Sequence, residues 1–227
     1  MKKPRTKIYV KVNLSSKEVI YTGIEFAEFI KYLSLPMENL LLLKGDCFGS
    51  RCEHNFEVFE GQNHVKKLAT ENIHSWGDFC FVDYVGKTGD LNEGQIAELL
   101  YMGHLFKPLK SPFFEPLQNR FAYLAHDDGW YCKLYCRDLY EFIAVLSKKI
   151  ANDTAIPLPI TLQNRLFQIA ESGLLIDLEE KDGSSSKIYT VGSYSDMDEV
   201  LNNWEKIKAN SATVNMLSYS NGEWTIS

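Results

Sequence analysis

Hydrophobic and polar residues alternate near the start of the chain, in the stretch KIYVKVNL (residues 7–14). Alternation with a period of two predicts a β-strand with one buried and one solvated face. The buried face would hold Ile8, Val10, Val12 and Leu14, and the solvated face Lys7, Tyr9, Lys11 and Asn13. A second apolar run, KEVIYTG, follows two serines, so the two runs are predicted to form a hairpin.

Apolar residues recur at helical spacing in several later stretches. After Asp138 they form one continuous stripe, which predicts a helix packed against a core. Asp90 with Glu93, and Asp138 with Glu141, fit the capping-box pattern that marks a helix start. Further helices are expected around Phe26 to Leu33 with Pro36 ending it, from Thr161 with Gly173 as its C-terminal cap, and from Asp196.

Strand candidates are interleaved with these helices. They are Leu40–Leu43, Phe56–Phe59, Phe79–Val85, two strands within residues 174–192, and a final hairpin at the Asn-Gly pair of VNMLSYSNGEWTIS. Because no regular βαβ alternation or fixed-period repeat is evident, the pattern predicts an α+β fold with a mainly antiparallel sheet and several helices. We expect a single domain over residues 1–227, and the Pro-rich segment 106–117 is the candidate boundary if it has two sublobes.

The distribution of charged residues limits the kinds of partner that the sequence predicts. The chain has 24 Lys and Arg against 30 Asp and Glu, and basic residues without any acid occupy positions 1–17. An acidic body with a short basic arm lacks the basic face that nucleic-acid binding needs. The acidic charge serves solubility, or it forms a face that binds a basic protein partner. No apolar run reaches the roughly 18 residues of a membrane helix, so we expect no membrane association.

The five cysteines are an odd number without the dense spacing of a disulfide scaffold, which predicts a reduced, cytoplasmic protein. The best metal candidates are Cys47, Cys52 and His54, since thiolates and imidazole suit zinc. A structural zinc site needs four ligands, and Cys80 or His74 would have to supply the fourth. Because this set is incomplete, we expect free thiols, no metal and no other cofactor.

The stretch FAYLAHDDGWYCKLYC (residues 121–136) consists of two alternating runs around an acidic turn. This pattern predicts a β-hairpin, with Gly129 supplying a positive φ. Asp127 and Asp128 at its tip, with Tyr131 and Tyr135 on its polar face, are the candidate binding residues. Tyr9 is expected on a polar face as well.

The same hairpin also carries the weak catalytic candidates. Cys132 could act as a nucleophile if His126 served as its base and Asp127 oriented the imidazole. These three residues would define a small hydrolase that uses a Cys or His near the turn at His126. Sequence spacing cannot show whether the side chains meet.

The hairpin resembles the strand–turn–strand element of the SUKH superfamily of bacterial immunity proteins. The resemblance rests on general hairpin features, so it implies neither a fold nor residue roles. Aromatic residues make up 13% of the chain, and Tyr and Trp dominate the hot spots of protein interfaces. The sequence therefore favours a soluble, bacterial-type, non-catalytic interaction protein of the immunity or regulatory kind, with the small hydrolase as the alternative.

Overall fold

The computed structural model describes residues 7–43, 52–53, 56–71, 80–126, 131–177, 187–190, 199, 202–209, 216–220 and 223–226. The strands are β1 Lys7–Asn13, β2 Glu18–Thr22, β3 Asn39–Leu42, β4 Cys52–Glu53, β5 Phe56–Glu60, β6 Cys80–Tyr84, β7 Phe121–His126, β8 Tyr131–Cys136, β9 Leu174–Asp177, β10 Lys187–Thr190, β11 Met216–Ser220 and β12 Glu223–Ile226. The helices are α1 Phe26–Tyr32, α2 Gln62–Thr70, α3 Glu93–Leu105, α4 Leu139–Thr154, α5 Ile160–Ala170 and α6 Trp204–Ala209.

The strands form one sheet in the order β12-β11-β10-β9-β1-β2-β8-β7-β6-β3-β5-β4. Each described pair of neighbours is antiparallel. The predicted α+β class with an antiparallel sheet is therefore confirmed. β1 lies inside the sheet between β2 and β9, where its backbone groups bond on both sides. None of the described helices is both long enough and apolar enough to cross a membrane.

Both faces of the sheet are covered. On the first face, α1, α2, α4 and α5 bury a large apolar cluster. On the second face, α3 and the segment before β7 bury a smaller cluster that includes Phe114 and Leu117. Many aromatic rings of the chain belong to the first core, where Phe81 stacks on Tyr123 with ring centroids 4.8 Å apart. These rings therefore stabilise the fold and are not available to a partner.

The expectation that Tyr9 and Tyr135 lie on solvated faces is wrong, because other segments of the chain cover the second face of the sheet. Tyr135 packs into the cluster beneath α3 and is only 6% exposed. Tyr9 is 2% exposed at the other end of the face, where α6 lies close: Trp204 donates its indole N–H to buried Asp177, 3.1 Å away. Alternation along a single strand predicts which residues share a face. It does not reveal whether a distant segment covers that face.

A hairpin followed by a helix occurs twice, as β1–β2–α1 and as β7–β8–α4. Tyr9 pairs with Thr22 in the first hairpin, and at the same spacing Ala122 pairs with Tyr135 in the second. In the segments that follow the hairpins, the sequence EFI of residues 28–30 recurs at 141–143, and LS of residues 33–34 recurs at 146–147. β2 and β8 pair antiparallel at the centre of the sheet, so the two hairpins meet along these strands. Few positions are identical between the two units, so the sequence pattern did not indicate their similarity.

Helix starts agree with the predictions in part. Asp138 caps α4 by accepting a hydrogen bond from the backbone N–H of Tyr140 at 2.9 Å, as expected. The other half of the expected capping box is not present, since Glu141 accepts a hydrogen bond from Arg120 instead. The expected cap at Asp90 is wrong: α3 begins two residues later than that pattern implies, with Asn92 as its N-cap and Gln95 completing the capping box. Asp90 lies in a short 3-10 turn before the helix, and Asn92 accepts from the backbone N–H of Gln95.

Candidate functional site

The hairpin that carries the sequence-based candidates is present as predicted. His126 ends β7 directly opposite Tyr131, the first residue of β8. Asp127 and Asp128, the proposed tip of the hairpin, lie outside the described residues. The catalytic and binding roles assigned to the tip therefore stay predictions.

Cys132, the candidate nucleophile, is buried in the first core. Its Sγ lies 3.0 Å from the hydroxyl oxygen of Tyr123. Burial raises the pKa of the Cys132 thiol to about 11, and the hydrogen bond from Tyr123 offsets only part of that rise. At neutral pH roughly one molecule in ten thousand would carry the thiolate. A protonated thiol without access to solvent is a poor nucleophile, so this environment weighs against a thiol hydrolase.

The two tyrosines predicted to bind a partner lie in different environments. The Tyr135 hydroxyl donates to Glu18 Oε1 at 3.2 Å, and Lys133 Nζ lies 3.7 Å from the same carboxylate oxygen. Burial, together with the negative charge of Glu18, raises the pKa of Tyr135. Because its ring is enclosed, Tyr135 is unsuited to contact a partner. Tyr131 is half-buried, so part of its side chain reaches the surface.

The candidate metal ligands cannot be assembled from the described residues. Cys52 occupies β4, where it pairs with Glu57, whereas Cys47 and His54 lie outside the described residues. Cys80, one suggested fourth ligand, is buried in β6. Among the described residues, no three His, Cys, Asp or Glu side chains converge on a possible metal position.

A buried ion pair that sequence reasoning missed fixes the start of the second hairpin. Asp83 accepts hydrogen bonds from the backbone N–H groups of Arg120 and Phe121, at 2.8 and 2.7 Å. Arg120 also donates through Nε to Asp83, through Nη1 to Glu141, and through both Nη atoms to the carbonyl of Leu35. Burial raises the pKa of Asp83 to about 6, against the lowering effect of these donors. The cluster is fully occupied by internal contacts, so its role is structural.

An open groove lies elsewhere, between the terminal hairpin β11–β12 and the connection from α4 to α5. Its volume is about 630 Å³, which falls within the range of ligand-binding clefts. It is lined by Ile156, Pro157, Leu158, Pro159, Thr161, Leu162, Arg165, Tyr219, Glu223 and Trp224. The floor is apolar, because it is formed by the largely buried side chains of Ile156, Leu158 and Leu162.

Two aromatic side chains form one wall of the groove. Tyr219 and Trp224 are direct cross-strand partners in the β11–β12 hairpin, and their ring centroids are 5.3 Å apart. The indole N–H of Trp224 donates to the carbonyl of Pro157 at 3.4 Å, which ties the hairpin to the opposite wall. Both rings remain partly exposed, so a bound molecule can contact them.

The opposite wall is rigid for a local reason. Pro157 and Pro159 fix the backbone of the short connection after α4, and Pro159 serves as the N-cap residue of α5. α5 then presents Thr161 and Arg165, one turn apart, along the rim. A rigid apolar groove with aromatic anchors provides contact area at a small entropy cost.

Among the described residues that line the groove there is no His, Cys or Asp, and the ionisable side chains are Arg165, Tyr219 and Glu223. The aromatic rings and the apolar floor provide contact surface for a bound molecule. The sequence contained a partial signal for the groove, since the final hairpin was predicted. The part played by the PLP segment, residues 157–159, was not predicted, because the fold alone brings this segment to the hairpin.

Comparisons with known proteins add no further constraint: no family model, no curated protein and no solved structure matches the chain.

Proposed function

We propose that the protein is a non-catalytic interaction module, of the immunity or regulatory kind, that acts in the cytoplasm by binding a basic protein partner. The groove beside the terminal hairpin is the observation that carries this proposal. It combines an apolar floor and a wall with two prolines with partly exposed Tyr and Trp side chains, the residue types enriched in interface hot spots.

Charge supports the choice of partner. The chain has a formal net charge of −6, and the basic residues at positions 1–17 mean that the rest of the chain is more acidic than this value implies. An acidic protein attracts a basic partner over a distance of several ångströms and increases the rate of association. The acidic tip at Asp127 and Asp128 is a further candidate contact for such a partner.

The test is affinity capture from native cells with the tagged full-length protein and two variants. Trp224→Ser removes an aromatic anchor of the groove. Tyr140→Ser is the matched control, since Tyr140 is also an exposed aromatic residue but lies at the start of α4. Thermal unfolding first establishes that both variants are folded.

We expect the native protein and the Tyr140 variant to recover one basic protein in stoichiometric amount, with less recovered at high salt. The Trp224 variant should recover at most a tenth as much. Equal recovery by all three proteins would place the interface elsewhere. Recovery of no partner by the native protein would refute the proposed function.

A further inference from the structure

The groove lies next to the end of the sheet. β12 pairs with β11 on one side, and in the described part of the chain no strand pairs with its other side. Every second residue of such an edge strand directs its N–H and C=O groups outward, without a partner in the sheet. An extended chain that adds a strand can satisfy all of these groups together.

The β12 edge has few of the features that protect sheet edges. Proteins commonly block an exposed edge with proline, lysine or a very short strand. Residues 223–226 are Glu-Trp-Thr-Ile, so β12 contains neither proline nor lysine. At the opposite end of the sheet, the described part of β4 has two residues, against four in β12. Of the two described edges, β12 is therefore the longer one for an added strand to pair with.

We propose that an extended segment of the protein partner adds to the sheet at β12 and inserts apolar side chains into the groove. This inference rests on the proposed function and names the conformation that the groove recognises. Backbone hydrogen bonds to β12 would supply affinity, whereas the groove would select the side chains. Because side chains alternate along a strand, every second residue of the segment would lie on the same face of the sheet as Tyr219 and Trp224, with Trp224 on the neighbouring strand.

Charge at the rim is mixed, since Arg165 and Glu223 both border the groove. Arg165 also donates to Gln168 on the same helix, at 3.3 Å. The rim therefore gives no strong preference for a charged side chain in the groove itself. The groove selects apolar or aromatic side chains, and the acidic charge of the whole protein acts on the partner outside it.

The experiment uses a random-peptide library displayed on phage and panned against the full-length protein. A parallel selection on the Trp224→Ser protein identifies sequences that do not depend on the groove. The selected peptides are synthesised, and their backbone nitrogens are methylated one residue at a time. Methylation removes one N–H donor and blocks close approach to a neighbouring strand.

We expect apolar residues at every second position of the enriched peptides. Methylation should weaken binding at least tenfold at alternate residues, those whose N–H groups face β12, and change it less than twofold at the residues between them. The Trp224→Ser variant should lower affinity about tenfold, and Tyr140→Ser should leave it unchanged. This two-residue pattern in methylation is specific to strand addition.

Other outcomes overturn the inference. Apolar residues three or four positions apart would identify a helical ligand, and a proline-rich consensus would identify a polyproline segment. Failure to enrich any sequence over the Trp224 variant would exclude peptide binding in the groove. A dimer of the protein alone that Trp224→Ser dissociates would make a second copy the occupant. Capture of a partner from cells together with any of these results would leave the proposed function standing and remove only this inference.

Discussion

Replacing Arg120 by Met tests whether the buried ion pair with Asp83 ties the start of β7 to the elements around it. The substitution keeps most of the apolar stem and removes the guanidinium. In the native protein that group donates to Asp83 at 3.2 Å, to Glu141 at 3.3 Å, and to the carbonyls of Leu35 and Pro36. Its contacts thus join β6, α4 and the segment before β3 to the start of β7.

The expected loss in the free energy of unfolding follows from the contacts that remain after the substitution. Asp83 is 2% exposed and would keep only the two backbone N–H donors at the start of β7. Removing one partner of a buried pair costs about 3 to 5 kcal/mol. Because the Arg120 side chain is 21% exposed and two donors to Asp83 persist, we expect about 2 to 3 kcal/mol.

The destabilisation caused by Arg120→Met should depend on pH. Burial raises the pKa of Asp83 from 3.8 to about 6. A carboxyl whose folded pKa is raised stabilises the fold fully below its unfolded pKa, and that stability is lost as the pH rises through the folded value. Arg120 lowers the pKa of both Asp83 and Glu141, so its removal extends the loss to higher pH. The destabilisation should therefore be larger at pH 8 than at pH 5.

Urea unfolding followed by circular dichroism, at pH 5 and pH 8, measures both effects. Lys110→Met is the matched control, since Lys110 pairs with Glu98 at 2.7 Å through a side chain that is 75% exposed, and such a pair is worth less than about 1 kcal/mol. If Arg120→Met costs no more than this control, or costs the same at both pH values, the assignment of the pair as a buried structural element is wrong.

Two further predictions concern the hairpin β7–β8. Cys132 and Cys136 should remain unmodified by a thiol reagent at pH 8 in the folded protein and react fully in urea, because burial raises the pKa of both thiols. Peptide mass spectrometry measures the modification at each cysteine. Rapid labelling of Cys132 in the folded protein would support the hydrolase alternative. Replacing Asp127 and Asp128 by Asn keeps turn propensity and removes charge, so partner affinity should fall about threefold to tenfold and depend less on salt. An unchanged affinity and salt dependence would make the tip purely structural.

Local patterns along the chain predicted the local elements well. Alternation identified the hairpins β1–β2 and β7–β8. The Asn-Gly pair correctly indicated the strands β11 and β12. Gly173, expected to end α5, has a φ of +97° and follows the last turn of that helix. In each case the signal and the structure it predicts lie within a few residues of each other.

Features that depend on distant parts of the chain escaped prediction. The covering of Tyr135 requires α3 and the segment before β7 to fold over the sheet. The pair of Asp83 and Arg120 joins residues 37 positions apart. The groove needs the PLP segment and the terminal hairpin to meet, although Pro157 and Trp224 are separated by 67 positions. No periodicity in a single strand or helix contains this information.

Hydrogen exchange of the full-length protein, measured by mass spectrometry with and without the captured partner, tests whether the groove beside the terminal hairpin binds that partner. Binding there should slow exchange in peptides covering residues 156–165 and 216–226, and change it little in α3 on the opposite face of the sheet. Protection confined to α3, or no protection in either segment of the groove, would contradict it.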